Sequence, residues 1–257
     1  MIVAGAQFQP VAGDICANLE KIKAFTSEAK AAGAAVLIFP ELAVQGYGAA
    51  DQMGEHHING KPVMDELQKL AKDNDIALIV GIAEQVGEHL FNSAVFVRPD
   101  EGPVFYRKSH LYGPYEKGLF KAVDPMTVIV PYQGLKIGML ICYDVEFPEN
   151  VRRLAKSGAD LIAVPTATPK GSSGAFIADK MLPTRAFENQ LFIAYINFCG
   201  SDGVFFYQGG AGVHAPDGMT LASTGNGEGL IFAEIKPSNY EKSRAENTYL
   251  QDLKTVP

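Results

Sequence analysis

Cysteine is scarce in this chain. Only Cys16, Cys142 and Cys199 occur in 257 residues, an odd number at wide spacing. That pattern builds no disulfide framework and leaves no Cys-rich cluster for zinc. Positive charge is short as well: 22 Lys and Arg stand against 29 Asp and Glu, a formal net charge of -7. The basic residues are scattered, so the patch that nucleic acid or an anionic membrane selects is missing. No run approaches the roughly 20 apolar residues that a membrane span requires. The opening MIVAGAQFQP lacks a basic region and reads as a first strand rather than a signal peptide. A cytoplasmic chain is therefore expected, with neither nucleic acid nor membrane as partner. No linker, low-complexity tract or charge block interrupts it, and residues 1–257 are expected to form one domain.

What is present is ordinary globular material, 47% hydrophobic and 20% charged. Helical and strand-like patterns alternate, which points to the α/β class. Residues 2–8 read as a strand. Residues 18–32 carry Leu19, Ile22, Phe25 and Ala29 at helical spacing, and Gly33 ends that helix. Ala35–Phe39 is a short buried strand stopped by Pro40. A helix at about 62–73 precedes the strand IALIVGI. Residues 91–107 read as a hairpin around PDEG, and TVIVPYQGLKIGMLIC as another turning at Gln133-Gly134. Pro148 and Glu149 open a helix. The strand ADLIAVP, a helix at about 175–189, the strand LFIAYINF and strands near 210–215 and 229–235 follow, before a polar tail.

One internal echo stands out. AKAAGAAVLIFPE (29–41) and LAKSGADLIAVPT (154–166) share the order helix, Gly, buried strand, Pro. Repeated α/β units explain this simply. The alternative is a pseudo-symmetric layered fold whose two equivalent strand ends face one cleft, where ligands of α/β folds tend to bind.

Three polar residues follow apolar runs, where polarity is least expected: Glu41 after AVLIFP, Lys108 after VFYR, and Cys142 at the end of KIGMLIC. Side by side, such strands bring a carboxylate, an ammonium and a thiol to one sheet edge. A thiol attacks a carbonyl best as thiolate, so it needs a base or a cation nearby. Glu41 is a candidate base, its pKa raised by burial. Lys108 is a candidate holder of the developing oxyanion, with a backbone N–H just after Cys142. Taken singly, each has a plain reading: a buried Cys is a small hydrophobe, Glu41 a cap, Lys108 a surface charge. A Cys–His pair through His110 or His214 is the rival arrangement. His56 and His57 are adjacent, so their side chains diverge; all five histidines read as structural or exposed, and no metal is expected.

These residues sit in three stretches that together resemble the nitrilase superfamily of carbon–nitrogen hydrolases: LIFPELAVQGY, YRKSHLYGPYE and GMLICYDVEFPENVRRLAKSGADLI. RAFENQLFIAYIN and GGAGVHAPDG are weaker matches, and the resemblance runs to about Glu234. It implies an α-β-β-α sandwich extended by dimerisation. It also implies a Glu–Lys–Cys set at Glu41, Lys108 and Cys142, and a second glutamate at Glu116 that bonds Lys108 and positions the substrate amide. It implies no cofactor. Expected substrate contacts are Tyr47, Tyr143, Glu146, Phe147 and Thr166.

Many relatives carry an Arg where this chain has Glu146, and that Arg can grip an acidic substrate. The reversed charge repels an anion and attracts an amine. The other reading turns Glu146 away to pair with Arg152 or Arg153. The block around Cys142, with LIAVPTA, INFCG and TYLQDL, looks like bacterial amidases that cut 5-aminopentanamide. The expected function is hydrolysis of a small aliphatic amide through a cysteine thioester. Nitrile hydrolysis, N-carbamoyl hydrolysis, a glutaminase-type module feeding a separate partner and a non-catalytic binding protein stay open. Tyr249, Leu250 and Leu253 are expected to anchor the tail on a neighbouring subunit or on its own chain.

Overall fold

The computed structural model describes residues 1–53 and 61–254; His56 and His57 lie outside them. Two six-stranded sheets form the centre. The first has the order β12-β1-β2-β3-β4-β5 and the second β11-β10-β9-β8-β7-β6. In the first sheet these are β1 (Ile2–Gln7), β2 (Val36–Ile38), β3 (Ala77–Val86), β4 (His89–Arg98), β5 (Glu101–Arg107) and β12 (Gly229–Glu234). In the second they are β6 (Ile129–Tyr132), β7 (Leu135–Met139), β8 (Leu161–Thr166), β9 (Phe192–Asn197), β10 (Gly212–His214) and β11 (Thr220–Ser223).

The helices are α1 (Ile15–Ala31), α2 (Ala50–Met53), α3 (Lys61–Asn74), α4 (Gly113–Leu119), α5 (Pro148–Lys156), α6 (Ser172–Phe176), α7 (Leu182–Asn189), α8 (Glu241–Glu246) and α9 (Tyr249–Asp252). The result is the expected α-β-β-α sandwich. Strand alternation makes it. Val36 and Ile38 of β2 join Ile137, Met139, Leu161, Ala163 and Ile196 in the layer between the sheets. Leu37, between them, faces the other way, toward Leu19, Ile22, Leu67 and Ala71 of α1 and α3. Val151, Leu154, Leu182 and Ala186 of α5 and α7 cover the second sheet.

Several boundaries differ from the expectation. Helix α1 starts three residues earlier than 18, because the Asp14 carboxylate accepts a hydrogen bond from the Ala17 N–H at 2.9 Å. The helix expected at 175–189 begins at Ser172 and is broken by a π-helical turn over Ile177–Met181. The β6–β7 hairpin turns on Gln133 and Gly134, with φ of 43° and 84°, the left-handed pair that a tight two-residue turn requires. The tail is more ordered than a polar tail suggests. Tyr249 packs edge-on against Phe187 at 5.6 Å, and the Arg244 guanidinium donates to Gln190 O at 3.2 Å. Leu250 packs on the core from outside, while Leu253 stays 46% exposed. A cavity of about 260 Å³ between α5, α7 and this tail lies away from Cys142.

Replacing Asp14 with Ala removes the cap and should lower stability by about 1 kcal/mol, read as a shift of the denaturant midpoint at unchanged slope.

Candidate active site

The echo noted above has a structural counterpart. Strands β2 and β8 lie in different sheets, and their carboxyl ends meet: the Glu41 N–H donates to Thr166 O at 3.4 Å. Pro40 ends β2, and the chain then turns sharply through Leu42, at φ 52°. Strand β3 must pass very close to this turn. A Cβ on Gly81 would stand 2.3 Å from Pro40 O and 2.6 Å from the Glu41 Cα. Only glycine permits that approach.

The Glu41 and Lys108 side chains are fully buried. Lys108 directly follows β5, and its Nζ donates to Glu41 Oε1 at 2.6 Å and to Glu116 Oε1 at 2.7 Å. Asn92 Nδ2 adds a bond to Glu41 Oε1 at 2.6 Å, and the Tyr47 hydroxyl one to Glu116 Oε1 at 2.7 Å. Glu116 Oε2 accepts the Tyr112 N–H at 2.9 Å. The second oxygen of Glu41, Oε2, is buried with no partner among the described residues.

Cys142 starts a 3₁₀ turn just past β7, at φ 43°. Asp144, fully buried in that turn, fixes it. Its carboxylate accepts the Tyr106 hydroxyl at 2.9 Å, the Ser109 hydroxyl at 2.8 Å, the His110 N–H at 2.8 Å and the Ile141 N–H at 3.2 Å. Thus the residues just after Lys108 are tied to the turn that presents the thiol. His110 belongs to this support: its ring lies on Phe147 at 4.0 Å and its Nδ1 is 3.0 Å from Asp144 Oδ1. His214 sits on β10 with Nδ1 3.1 Å from Thr220 Oγ1. No hydrogen bond joins either histidine to Cys142 among the described residues, so the Cys–His arrangement is not what the fold builds.

Burial sets the electrostatics. It pushes the Glu41 carboxyl up to about 7, against the pull of the Lys108 ammonium. It also lifts the Cys142 thiol well above its usual range, with Glu41 adding to the rise and Lys108 opposing it. Desolvation alone would lower Lys108, but Glu41 and Glu116 outweigh it and hold the amine charged. Near neutral pH the group is a thiol, an ammonium and a carboxyl poised to gain or lose a proton.

A cavity of about 410 Å³ opens onto Cys142, lined also by Tyr112, Tyr143, Glu146, Thr168 and Lys170. Of the expected substrate contacts, Tyr143 and Glu146 line it. Tyr47 stands behind Glu116, and Phe147 stacks on His110. Thr166 is not in the lining; it is fully buried and its hydroxyl donates to Val164 O at 3.0 Å. Thr168, two residues on, takes that place. The run ATPKG after the strand, polar and broken by Pro, was the signal for it. Glu146 forms no pair with Arg152 or Arg153: Arg152 donates to Glu188 O, and Arg153 to Asn150 Oδ1 and Met126 O. Among the described residues no cluster of His, Cys, Asp and Glu is arranged to hold a metal ion, and no helix is long and apolar enough to cross a membrane.

A buried thiol, carboxylate and ammonium thus meet at the strand ends of a two-sheet sandwich. Residues 2–245 match the carbon–nitrogen hydrolase family, and the chain belongs to it. It is 36% identical over 258 residues to a hydrolase encoded in the pqqF 5′ region of Pseudomonas protegens, covering 98% of this chain and 88% of that one. It is 32% identical to an (R)-stereoselective amidase of a Pseudomonas species, covering 86% and 80%. An amidase of Nesterenkonia sp. AN1 superimposes with a TM-score of 0.89 at 30% identity, covering 98% and 96%; one mutant of it carries acrylamide added at its active-site cysteine. The chain is an amidase of the nitrilase superfamily.

Gly81→Ala should force the Glu41 turn away from Lys108. The expected result is a stability loss of about 1–3 kcal/mol and a fall in kcat at nearly unchanged KM, measured by ammonia release.

Proposed function

We propose that this amidase hydrolyses a small aliphatic carboxamide bearing an amine, through a thioester on Cys142. The observation that carries this is how the Lys108 ammonium is shared. Two of its three N–H donors are committed to Glu41 and Glu116, which leaves one for a substrate oxygen.

In this reading Glu41 takes the thiol proton as Sγ attacks the amide carbon. The carbonyl electron pair moves onto oxygen, held by Lys108 and the N–H after Cys142; one such donor is worth about 3–4 kcal/mol. The carbon–nitrogen bond then breaks, and Glu41 returns the proton to the departing ammonia. A water deprotonated by Glu41 attacks the thioester carbon, and the sulfur leaves and is reprotonated. A Glu41 pKa near 7 suits a group that must accept and release a proton in each half. Glu116 keeps Lys108 in place, itself held by Tyr47 and the Tyr112 N–H.

Glu146 supports the amine. It lines the cavity, burial raises its carboxyl, and its side chain pairs with no cation among the described residues. An arriving ammonium would satisfy it. Tyr143 beside it, packed on Phe147 at 4.9 Å, gives an apolar wall for a methylene chain. A class such as 5-aminopentanamide fits both.

Three outcomes are expected. Cys142→Ala abolishes turnover with the fold intact by circular dichroism, and wild-type protein incubated briefly with amide shows an acyl adduct on Cys142 by mass spectrometry; retained turnover, or ammonia release without the adduct, refutes the thioester. Because Glu41 must be ionised to act as base, kcat/KM should rise as pH increases through about 7, a limb that belongs to the coupled cluster as a whole. Finally, kcat/KM for 5-aminopentanamide should exceed that for succinamate at least about tenfold, and Glu146→Gln should narrow the gap. Equal or better turnover of the acidic amide removes the amine reading.

A further inference from the structure

The nucleophile has a second set of neighbours, apart from the charged groups of Glu41, Lys108 and Glu116. Thr168 Oγ1 lies 3.7 Å from Cys142 Sγ, within hydrogen-bond reach of a sulfur. The same Oγ1 is hydrogen-bonded to the hydroxyl of Tyr195 on β9, which is 1% exposed. The Thr168 backbone is clamped at both ends: its N–H donates to Asn197 Oδ1 at 2.9 Å, and its carbonyl accepts the Gln208 N–H at 3.0 Å. Asn197 is held in turn, donating to Gly209 O at 2.9 Å. The hydroxyl therefore has a fixed position beside the sulfur and a fixed partner behind it.

We propose that Thr168 is a further catalytic residue, donating its hydroxyl proton in a hydrogen bond to Cys142 Sγ while Tyr195 donates to Thr168 and keeps that proton aimed at the sulfur. A hydroxyl has one proton. When Oγ1 accepts from Tyr195, its own proton is free for the sulfur. The bond favours the thiolate at the moment Glu41 removes the S–H proton, and it fixes the direction of the attacking lone pair. Thr168 keeps its proton throughout; the thiol proton passes to Glu41. The charged and titratable groups facing the sulfur are Glu41 after β2, Lys108 after β5, Glu116 on α4 and, through Tyr195, Glu146. Thr168 adds a neutral donor to this set.

This inference rests on Cys142 as nucleophile, so its test reads the thiol directly. The pH dependence of Cys142 alkylation by iodoacetamide is followed by mass spectrometry in wild type, Thr168→Val, Thr168→Ser and Tyr195→Phe, with kcat/KM for an amide alongside. Thr168→Val should move the alkylation midpoint up by about one pH unit, a tenfold loss of thiolate, and lower kcat/KM at least about tenfold. Thr168→Ser should stay close to wild type. Tyr195→Phe should shift the midpoint in the same direction but less, and it keeps the test alive if the valine variant does not fold. An unmoved midpoint in both Thr168→Val and Tyr195→Phe overturns the proposal, even where activity falls, because a packing defect alone would leave the thiol unchanged. A serine variant as impaired as valine overturns it too. If wild-type Cys142 forms no acyl adduct, the thioester reading fails instead, whatever the alkylation midpoints show.

Discussion

One buried ammonium organises the site. The Lys108 side chain is fully buried, and a charge in that position is tolerated only when it is paired and hydrogen-bonded. Glu41 and Glu116 do this from two separate elements, the turn after β2 and helix α4. Each carboxylate then needs partners of its own, and Asn92, Tyr47 and the Tyr112 N–H supply them. Four elements are thus locked around one nitrogen. The arrangement is rigid because breaking any member would leave an uncompensated charge in the interior.

The asymmetry inside that cluster matters for its chemistry. Glu41 Oε1 is tied to Lys108 and Asn92, whereas Oε2 has no partner among the described residues. One oxygen anchors the group and the other is left to handle a proton. The same burial that raises the Glu41 carboxyl raises the Cys142 thiol, so neither ionises early. Next to the sulfur, Thr168 and Tyr195 add a neutral pair of hydroxyls to these charged groups.

Much of this was legible in the amino-acid sequence, for definite reasons. Glu41, Lys108 and Cys142 were visible because polar residues rarely end apolar strands, and the structure does bring these strand ends together. The echo of 29–41 in 154–166 was visible because two buried parallel strands need the same helix–Gly–strand–Pro grammar. Glu116 was reachable only through family resemblance. Gly113 and Pro114 look like loop residues, yet they start α4, with Pro in its first turn. Thr166 is the expected contact and Thr168 is not singled out by the sequence; the strand read as ADLIAVP stops at Pro165, whereas β8 runs on through Thr166, whose side chain stays in the core. Asp144 carried no signal at all. Its partners Tyr106, Ser109 and His110 lie 34–38 residues away and meet it only after the sheets assemble.

The backbone of Cys142 has a consequence for how such a protein can change. At φ 43° it occupies the left-handed region, where a side chain with a Cβ is strained by roughly 1–2 kcal/mol. Glycine would adopt that conformation without penalty. Selection for thermal endurance alone would therefore erode the position that holds the thiol, and only selection for turnover keeps a side chain there. Efforts to harden this fold by consensus or by library screening on heat resistance should leave residue 142 untouched and draw their gains from elsewhere, such as the helix caps.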